Sequence, residues 1–301
     1  MSQSSTLIIL AAGMGSRFGG PKQIAGVGPS GETLLEYGLF DAASAGFTKF
    51  VFVIREAIQE DFEQSVLARF NHKLNCSYIL QSIDDLPNGV DSEIANSREK
   101  PWGTAHAFWT ARTEVEGPCA VINADDFYGS RSFRIMKEAL DSGAGSCLVP
   151  FRLDQTLSPR GGVSRGVCHM NGDGDLVAIQ ECRDLVLEET GTVLGKDNTS
   201  LEPVSLSRET PVSMNLMGFS AEIWPFLDAN ISSFFREHLG DGSGEYGLPD
   251  LLTAWMRDGK TAVRPSPETW LGITHSSDLE AVQSEIKNRI QNGDYPETLW
   301  A

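Results

Sequence analysis

The chain has 301 residues, with 24 lysines and arginines against 41 aspartates and glutamates, a formal net charge of −17. So acidic a chain argues against nucleic acid or an anionic membrane as its main partner, because both bind clustered basic residues. Hydrophobic residues make up 41% of the sequence, which excludes disorder of the whole chain, and the longest apolar runs are too short to span a bilayer.

The first half of the chain alternates apolar strands with helices. Short continuous apolar runs predict strands at residues 6–12, 49–54, 76–81 and 119–123. Helical periodicity and capping residues predict helices at residues 33–45, 57–70 and 102–114. This order predicts right-handed crossovers and an open parallel sheet covered by helices.

The second half is richer in strands and turns. Apolar patterning predicts strands at residues 146–153, 166–170, 176–181 and 212–219. The polar stretch 187–209 predicts a loop or a flexible hairpin. Apolar residues at helical spacing predict helices at residues 223–230, 232–239, 248–258 and 279–291.

A glycine-rich segment with two cations follows the first strand, at residues 10–22. Glycines let the backbone approach phosphate oxygens, while Arg17 can clamp a pyrophosphate bidentately and Lys22 supplies a compact charge. Gln23 stands where an ATPase loop needs Ser or Thr, and Phe18 replaces the third glycine of a dinucleotide motif. A plain surface turn is the alternative interpretation.

A second signal is the apolar strand that ends in Asp125 and Asp126. Carboxylates at a strand end commonly hold Mg²⁺, although Asp125 could instead cap the next helix. Because ligands of open parallel sheets bind beyond the carboxyl ends of the strands, we expect residues 13–22, Gln81, Asp125 and Asp126 to share one rim, with Asp126 as an alternative ligand.

The segment L-A-A-G-x-G-S-R-F…P-K resembles the signature of the sugar-1-phosphate nucleotidyltransferases. These enzymes join a nucleoside triphosphate to a sugar phosphate and release pyrophosphate. The resemblance implies an α/β fold with a Rossmann-like mixed sheet sandwiched by helices, the nucleotide-diphospho-sugar transferase or GT-A-like fold. It implies that Arg17, Lys22 and Asp125 are catalytic, with Asp125 as the ligand of Mg²⁺. The implied nucleotide-binding residues are Leu10, Ala11, Ala12, Gly13, Gly15, Gln81, Gly103 and Thr104.

The base-binding part of this set favours UTP or dTTP. Gln81 matches a glutamine that binds the pyrimidine in uridylyl-transferring relatives, and the turn at Gly103 and Thr104 resembles a segment that contacts the base. His106 is interpreted as a packing or capping residue. The insertion 82–102 is either a lid or a neutral surface loop.

Three residues of the second half match the acceptor-binding segments of the family. The resemblance implies that Glu181 and Asn215 contact the sugar hydroxyls and that Gly162 belongs to the acceptor loop. Ser164 and Arg165 depart from the family spacing in that loop.

The largest departure concerns a second ligand for the metal. Relatives place an Asp or Asn where residues 272–274 stand, and this chain has no carboxylate there before Asp278. Thr274 or Asp278 could serve directly or through water, Mg²⁺ could rely on Asp125, phosphate and water, or the segment could only pack the last helix.

The sequence therefore predicts a Mg²⁺-dependent nucleotidyltransferase that joins UTP or dTTP to a sugar 1-phosphate. Residues 1–145 are expected to form the nucleotide-binding half and residues 146–301 the acceptor-binding half and C-terminal helices of the same domain. Open alternatives are a CTP-dependent cytidylyltransferase for a small phosphorylated alcohol or phosphonate, and a non-catalytic nucleotide-sensing homologue. Assembly into a homo-oligomer stays open.

The cysteines and the N-terminus predict the cytosol. The five cysteines are odd in number, contain no C-x-x-C pair and mostly lie in apolar runs, so reduced buried thiols are expected. The first residues lack the basic region of a secretory signal.

Overall fold

A computed structural model of the chain describes residues 4–13, 26–70, 72–92, 95, 98, 100–158, 161–237, 244–257, 259–273 and 278–300. Its helices are α1 (Leu34–Ala45), α2 (Gln59–Ser65), α3 (Thr104–Thr110), α4 (Ser130–Asp141), α5 (Ile223–Glu237), α6 (Leu248–Trp255) and α7 (Leu279–Gln291). Its strands are β1 (Thr6–Leu10), β2 (Lys49–Ile54), β3 (Cys76–Leu80), β4 (Cys119–Asn123), β5 (Asp126–Phe127), β6 (Ser146–Leu148), β7 (Phe151–Arg152), β8 (Val163–Met170), β9 (Leu176–Leu187), β10 (Val193–Asp197), β11 (Pro203–Leu206), β12 (Pro211–Ser213), β13 (Met217–Phe219), β14 (Thr261–Val263) and β15 (Leu271–Gly272).

A seven-stranded sheet in the order β14-β6-β13-β4-β1-β2-β3 forms the centre of the molecule. β1 pairs in parallel with β2 and β4, and β2 pairs in parallel with β3. β13 runs antiparallel to both of its neighbours, β4 and β6, so the sheet is mixed.

Helices cover both faces of this sheet, because successive side chains of each strand point to opposite faces. Leu7 and Ile9 of β1 are buried in a core that includes α1 and α4. Ile8 and Leu10 are buried in a second core that includes α3, α5 and α6. The predicted mixed α/β sandwich is confirmed.

The helix α1 shows how local sequence fixes an element that packs against the sheet. Thr33 and Glu36 form a capping box, in which each side chain bonds the backbone N–H of the other residue. Gly46 ends the helix with φ of 104°, a left-handed conformation that favours glycine. The cap and the stop were both readable from the sequence.

A second sheet, of six strands in the order β11-β10-β9-β8-β12-β7, lies beside the central one in the chain's second half. β9 is its longest strand and pairs antiparallel with β8 and β10. The stretch 187–209 contributes the hairpin of β10 and β11, one of the two alternatives expected for it. A small sheet joins β15 to β5.

Some predicted elements differ from the observed ones. The apolar runs 146–153 and 212–219 each form two strands, since β6 and β13 join the central sheet whereas β7 and β12 join the second. The two helices predicted between 223 and 239 are a single helix, α5, over the described residues. The helix α4 and the strands β5, β14 and β15 were not predicted. No helix in the described residues combines the length and the apolar character of a membrane span.

Candidate active site

Four neighbouring strands of the central sheet end along one rim. The order β4-β1-β2-β3 brings their carboxyl ends side by side, so the segments that follow them are neighbours. Three backbone hydrogen bonds continue the pairing past the strand ends, from Ala124 N to Leu10 O at 3.1 Å, from Ala11 N to Val53 O at 2.9 Å and from Gln81 N to Ile54 O at 2.7 Å. The start of the glycine-rich segment, Gln81 and Asp125 therefore lie at one edge.

The glycine-rich segment leaves the sheet at this rim. Leu10 and Ala11 are buried, Ala12 is half-buried and Gly13 is exposed. Gly15, Arg17 and Lys22 lie outside the described residues, and the roles predicted for them stay predictions.

The two aspartates after β4 have different surroundings. Asp126 is buried, and its carboxylate accepts hydrogen bonds from Asn123 Nδ2 at 2.9 Å and from the Tyr128 hydroxyl at 3.1 Å. Burial and then the neighbouring Asp125 carboxylate raise the pKa of Asp126 to about 7. Asp125 is exposed beside it, and since α4 begins only at Ser130 after Gly129, Asp125 does not cap that helix. The accessible carboxylate of the pair is Asp125.

The segment before α7 lies against this pair of aspartates. Gly272 of β15 pairs with Asp126 of β5 in the antiparallel ladder, so this part of the chain reaches the rim. Thr274 lies outside the described residues, and Asp278 stands at the start of α7. The described part of the chain holds no group of three or more His, Cys, Asp or Glu side chains arranged to bind a metal.

A chain of hydrogen bonds positions Gln81. The side chain is buried, and its Nε2 lies 3.0 Å from Nδ1 of His106 and 3.4 Å from the carbonyl oxygen of Gly103. The other ring nitrogen of His106 lies 2.8 Å from the carbonyl oxygen of Asp85, in the insertion 82–102. Burial lowers the pKa of His106. His106 therefore does more than pack, because it holds Gln81 against the insertion.

The turn at Gly103 is fixed by contacts with residues 246–248. Gly103 has φ of 102°, and a Cβ atom at this position would lie 2.7 Å from the backbone nitrogen of Tyr246. Thr104 Oγ1 accepts a hydrogen bond of 2.9 Å from Leu248 N, at the start of α6. The Thr104 side chain thus has a structural partner, and the turn is held in a conformation that only glycine accommodates at Gly103.

Residues far apart in the sequence line a cavity of about 170 Å³ beside the rim. Its lining residues are Asn123, Ser164, Arg165, Gly166, Glu181, Ser213, Met214, Asn215 and Pro249. It therefore contains two of the predicted acceptor residues, Glu181 and Asn215, and the last residue of β4. Burial raises the pKa of Glu181, and Asn215 has φ of 65°, which is uncommon outside glycine.

Gly162, the third predicted acceptor residue, does not line this cavity. A Cβ atom at Gly162 would lie 2.7 Å from the Cα atom of Asp184. The two backbones therefore lie too close together for a side chain at this position, which explains the glycine without a role in acceptor binding.

Arg165 also lines this cavity, and no role was predicted for it from the sequence. One guanidinium nitrogen donates to the carbonyl oxygen of Ser164 at 2.7 Å and another to that of Thr156. The Nε of Arg165 is buried and has no acceptor among the described residues. Its guanidinium carbon lies 5.1 Å from the centre of the Trp270 ring, and burial lowers its pKa. The sequence feature that could have pointed to Arg165 is its position near the end of the glycine-rich stretch 161–166.

The four-strand rim belongs to a mixed sheet covered by helices on both faces, which is an α/β fold. Residues 7–85, which run from β1 to just beyond Gln81, match the family model of the MobA-like NTP transferase domain. This match confirms the resemblance to nucleotidyltransferases, the enzyme class expected from the glycine-rich segment.

Solved structures share the fold along nearly the whole chain. The inositol-1-phosphate CTP transferase from T. maritima is 15% identical, with a TM-score of 0.61, and the match covers 94% of this chain and 96% of that one. A protein from Bacillus anthracis assigned as a glucose-1-phosphate thymidylyltransferase, in complex with a sucrose, is 12% identical, with a TM-score of 0.62, and the match covers 95% and 96%. No curated protein matches the sequence.

Proposed function

We propose that the protein is a Mg²⁺-dependent nucleotidyltransferase that joins UTP or dTTP to a sugar 1-phosphate and releases pyrophosphate. The main support for the proposal is the set of residues that meet at the rim of the central sheet. It brings the start of the matched NTP-transferase segment, the accessible Asp125 and the buried Gln81 to one edge. The cavity of Arg165, Glu181 and Asn215 adjoins that edge through Asn123.

The proposed reaction is an in-line displacement at the α-phosphorus. A phosphate oxygen of the acceptor forms the new bond to this phosphorus, and the bond from the α-phosphorus to the oxygen shared with the β-phosphorus breaks. Pyrophosphate leaves with the electron pair of that bond. A phosphate monoester is already a nucleophile, so catalysis needs positioning and charge neutralisation, roles that fall to Arg17 and Lys22.

The residues at the rim fit a magnesium ion. Mg²⁺ prefers oxygen ligands, keeps several waters and is usually bound by one or two carboxylates together with substrate phosphates. Asp125 offers an exposed carboxylate at the end of β4, whereas the neighbouring Asp126 carboxylate already accepts two hydrogen bonds. Asp125 would therefore hold the ion, which would neutralise phosphate charge when bound.

The cavity supplies the groups that a phosphorylated sugar requires. Glu181 and Asn215 carry side chains that can bond hydroxyl groups, and Arg165 carries a buried Nε with no acceptor among the described residues. A guanidinium binds phosphate oxygens well, because its donors match their geometry. We assign the acceptor hydroxyls to Glu181 and Asn215 and the acceptor phosphate to Arg165.

A second candidate is a cytidylyltransferase that acts on a small phosphorylated alcohol. It is favoured by one observation: the inositol-1-phosphate CTP transferase matches this fold over 94% of the chain, and the protein assigned as a glucose-1-phosphate thymidylyltransferase matches it over 95%. Both candidates share the proposed chemistry and differ in base and acceptor.

Release of pyrophosphate decides between these functions. The purified protein is incubated with Mg²⁺, each of UTP, dTTP, CTP, ATP and GTP, and each of glucose 1-phosphate, inositol 1-phosphate and a small phosphonate. We expect release with UTP or dTTP and a sugar 1-phosphate, and its loss when EDTA replaces Mg²⁺. Preference for CTP and inositol 1-phosphate would establish the second candidate. The absence of release in every combination, together with binding of a triphosphate, would instead support a nucleotide-sensing homologue.

A further inference from the structure

We propose that His106 is a positioning residue that fixes the side-chain amide of Gln81 so that its oxygen faces the nucleotide base. This inference rests on the proposed function, since it concerns the base of the bound triphosphate. The buried His106 thereby determines whether Gln81 presents a hydrogen-bond acceptor or a donor to the base.

Two acceptors hold the amide nitrogen of Gln81. The carbonyl oxygen of Gly103 can only accept, and it lies 3.4 Å from Nε2 of Gln81. Nδ1 of His106 lies 3.0 Å from the same nitrogen. The oxygen of the amide is left on the opposite side, and no group among the described residues donates to it.

The state of His106 follows from its second partner. The carbonyl oxygen of Asp85 can only accept, so the ring nitrogen Nε2 of His106, 2.8 Å away, carries the hydrogen. A neutral imidazole has one N–H, which leaves Nδ1 as an acceptor for Gln81. Complete burial of the ring keeps it neutral, since desolvation penalises the charged form. The histidine therefore specifies which end of the amide it binds.

The resulting site presents one hydrogen-bond acceptor, the amide oxygen of Gln81, beside backbone N–H donors. The backbone N–H groups of Gly103 and Thr104 find no acceptor among the described residues, and Gly103 contacts Gln81. Uracil and thymine present an N3–H donor between two carbonyl acceptors, which complements this pattern. Cytosine has a bare N3, whose lone pair would face the oxygen of Gln81. The fixed amide thus selects uracil or thymine over cytosine.

Three variants separate the acceptor role of His106 from its packing role. His106→Leu removes both ring nitrogens. His106→Asn keeps an acceptor oxygen near the position of Nδ1 but loses the bond to Asp85. His106→Gln keeps a donor near the position of Nε2 but loses the acceptor for Gln81. For each folded variant and the wild type, kcat/KM is measured for UTP and CTP, and Kd for the same triphosphates is measured by calorimetry.

We expect the wild type to prefer UTP over CTP. The preference should fall about tenfold in His106→Leu and His106→Gln, the effect of about one hydrogen bond, and should stay within about twofold of the wild type in His106→Asn. If His106→Leu does not fold, the Asn and Gln variants provide the same comparison.

The inference is overturned if the wild type prefers CTP, if all variants keep the preference, or if His106→Asn loses it together with the other two. Absence of transfer with every triphosphate would contradict the proposed function instead. In that case, the ratio of the two Kd values across the same variants still decides the role of His106.

Discussion

Among the described residues that line the proposed acceptor cavity, Arg165 carries the one positive charge. Its guanidinium is half-buried in the cavity wall and binds two carbonyl oxygens, yet its Nε is unpartnered within the described part of the chain. A buried donor without an acceptor costs free energy, so a phosphate oxygen that fills this position would bind favourably.

We therefore expect Arg165→Met to raise the KM for the phosphorylated acceptor by about tenfold or more, the value of one charge-assisted hydrogen bond, with the KM for the triphosphate nearly unchanged. Steady-state kinetics with each substrate varied in turn measures both. Arg152→Met is the matched control, because Arg152 is exposed on β7 and pairs with Asp154 and Glu209. An equal rise in both KM values for Arg165→Met would contradict the assignment.

Only some residues of the candidate site could be predicted from the sequence. Asp125 and Gln81 could be selected because each lies within two residues of the end of an apolar strand, and strand ends converge on one edge. His106 and Arg165 could not, because they bond to residues in distant or irregular segments, such as Asp85 and Thr156. The pattern around Asp125 and Asp126 also does not reveal which carboxylate is buried.

At the scale of elements, the turn before α3 is fixed by its close approach to residues 246–248. Tyr246 N donates to Trp102 O at 2.7 Å, and Ala105 N donates to Tyr246 O at 2.9 Å. These bonds leave no room for a side chain at Gly103, which also has a left-handed φ. The turn that flanks Gln81 is therefore held by tertiary contacts.

Gly103→Ala is expected to lower the free energy of unfolding by about 3 kcal/mol or more, since it combines the strain of positive φ with a backbone clash. Gly174→Ala isolates the first effect, because Gly174 has φ of 82° with open space around the position of a Cβ atom. It should lower the free energy of unfolding by about 1 kcal/mol. Urea unfolding measures both, and equal losses would show that the clash is relieved at little cost.

The strands β1 to β4 and the helix α1 were predicted well for a physical reason. Strands buried on both faces appear as continuous apolar runs, and α1 carries its own cap and stop signals. The run 146–153 was wrongly predicted as a single strand. The chain passes there from β6 in one sheet to β7 in another, and a continuous apolar run does not show where such a change occurs. The strand β15 is only two residues long, too short for any periodicity.

At the scale of the whole molecule, the two halves of the sequence share one sheet. The strands β6, β13 and β14, all beyond residue 145, lie in the same sheet as β1 to β4. The functional division at residues 145 and 146 stays a prediction. The C-terminal segment also contacts the first half, because the Tyr295 hydroxyl donates a hydrogen bond of 2.7 Å to the carboxylate of Asp41 in α1.

Burial of the Asp41 carboxyl group makes stability depend on pH. Burial raises the pKa of Asp41 from 3.8 to about 7, against the lowering effect of the Tyr295 hydroxyl. Between these values the folded state holds a proton that the unfolded chain releases, so the contribution of Asp41 to stability is present below about pH 4 and is lost as the pH rises to about 7.

Asp41→Asn should therefore gain stability relative to the wild type across this interval, by about 2–4 kcal/mol between pH 4 and pH 7. The amide keeps an acceptor for Tyr295 and does not ionise. Denaturant unfolding at several pH values measures the difference, with Asp61→Asn, at an exposed position of α2, as the control. A difference that stays constant with pH would mean that Asp41 titrates normally.

The proposed function requires Asp125 to hold the metal of a triphosphate bound at the rim of the sheet. This role can be measured. It is tested most directly by kcat for pyrophosphate release in Asp125→Asn at saturating UTP, acceptor and Mg²⁺. The control is Asp84→Asn, which removes an exposed carboxylate from the insertion 82–102. We expect kcat to fall about 10²–10³-fold in Asp125→Asn, the loss of one preorganised electrostatic group, and to stay unchanged in the control. A kcat for Asp125→Asn close to that of the wild type would contradict the account.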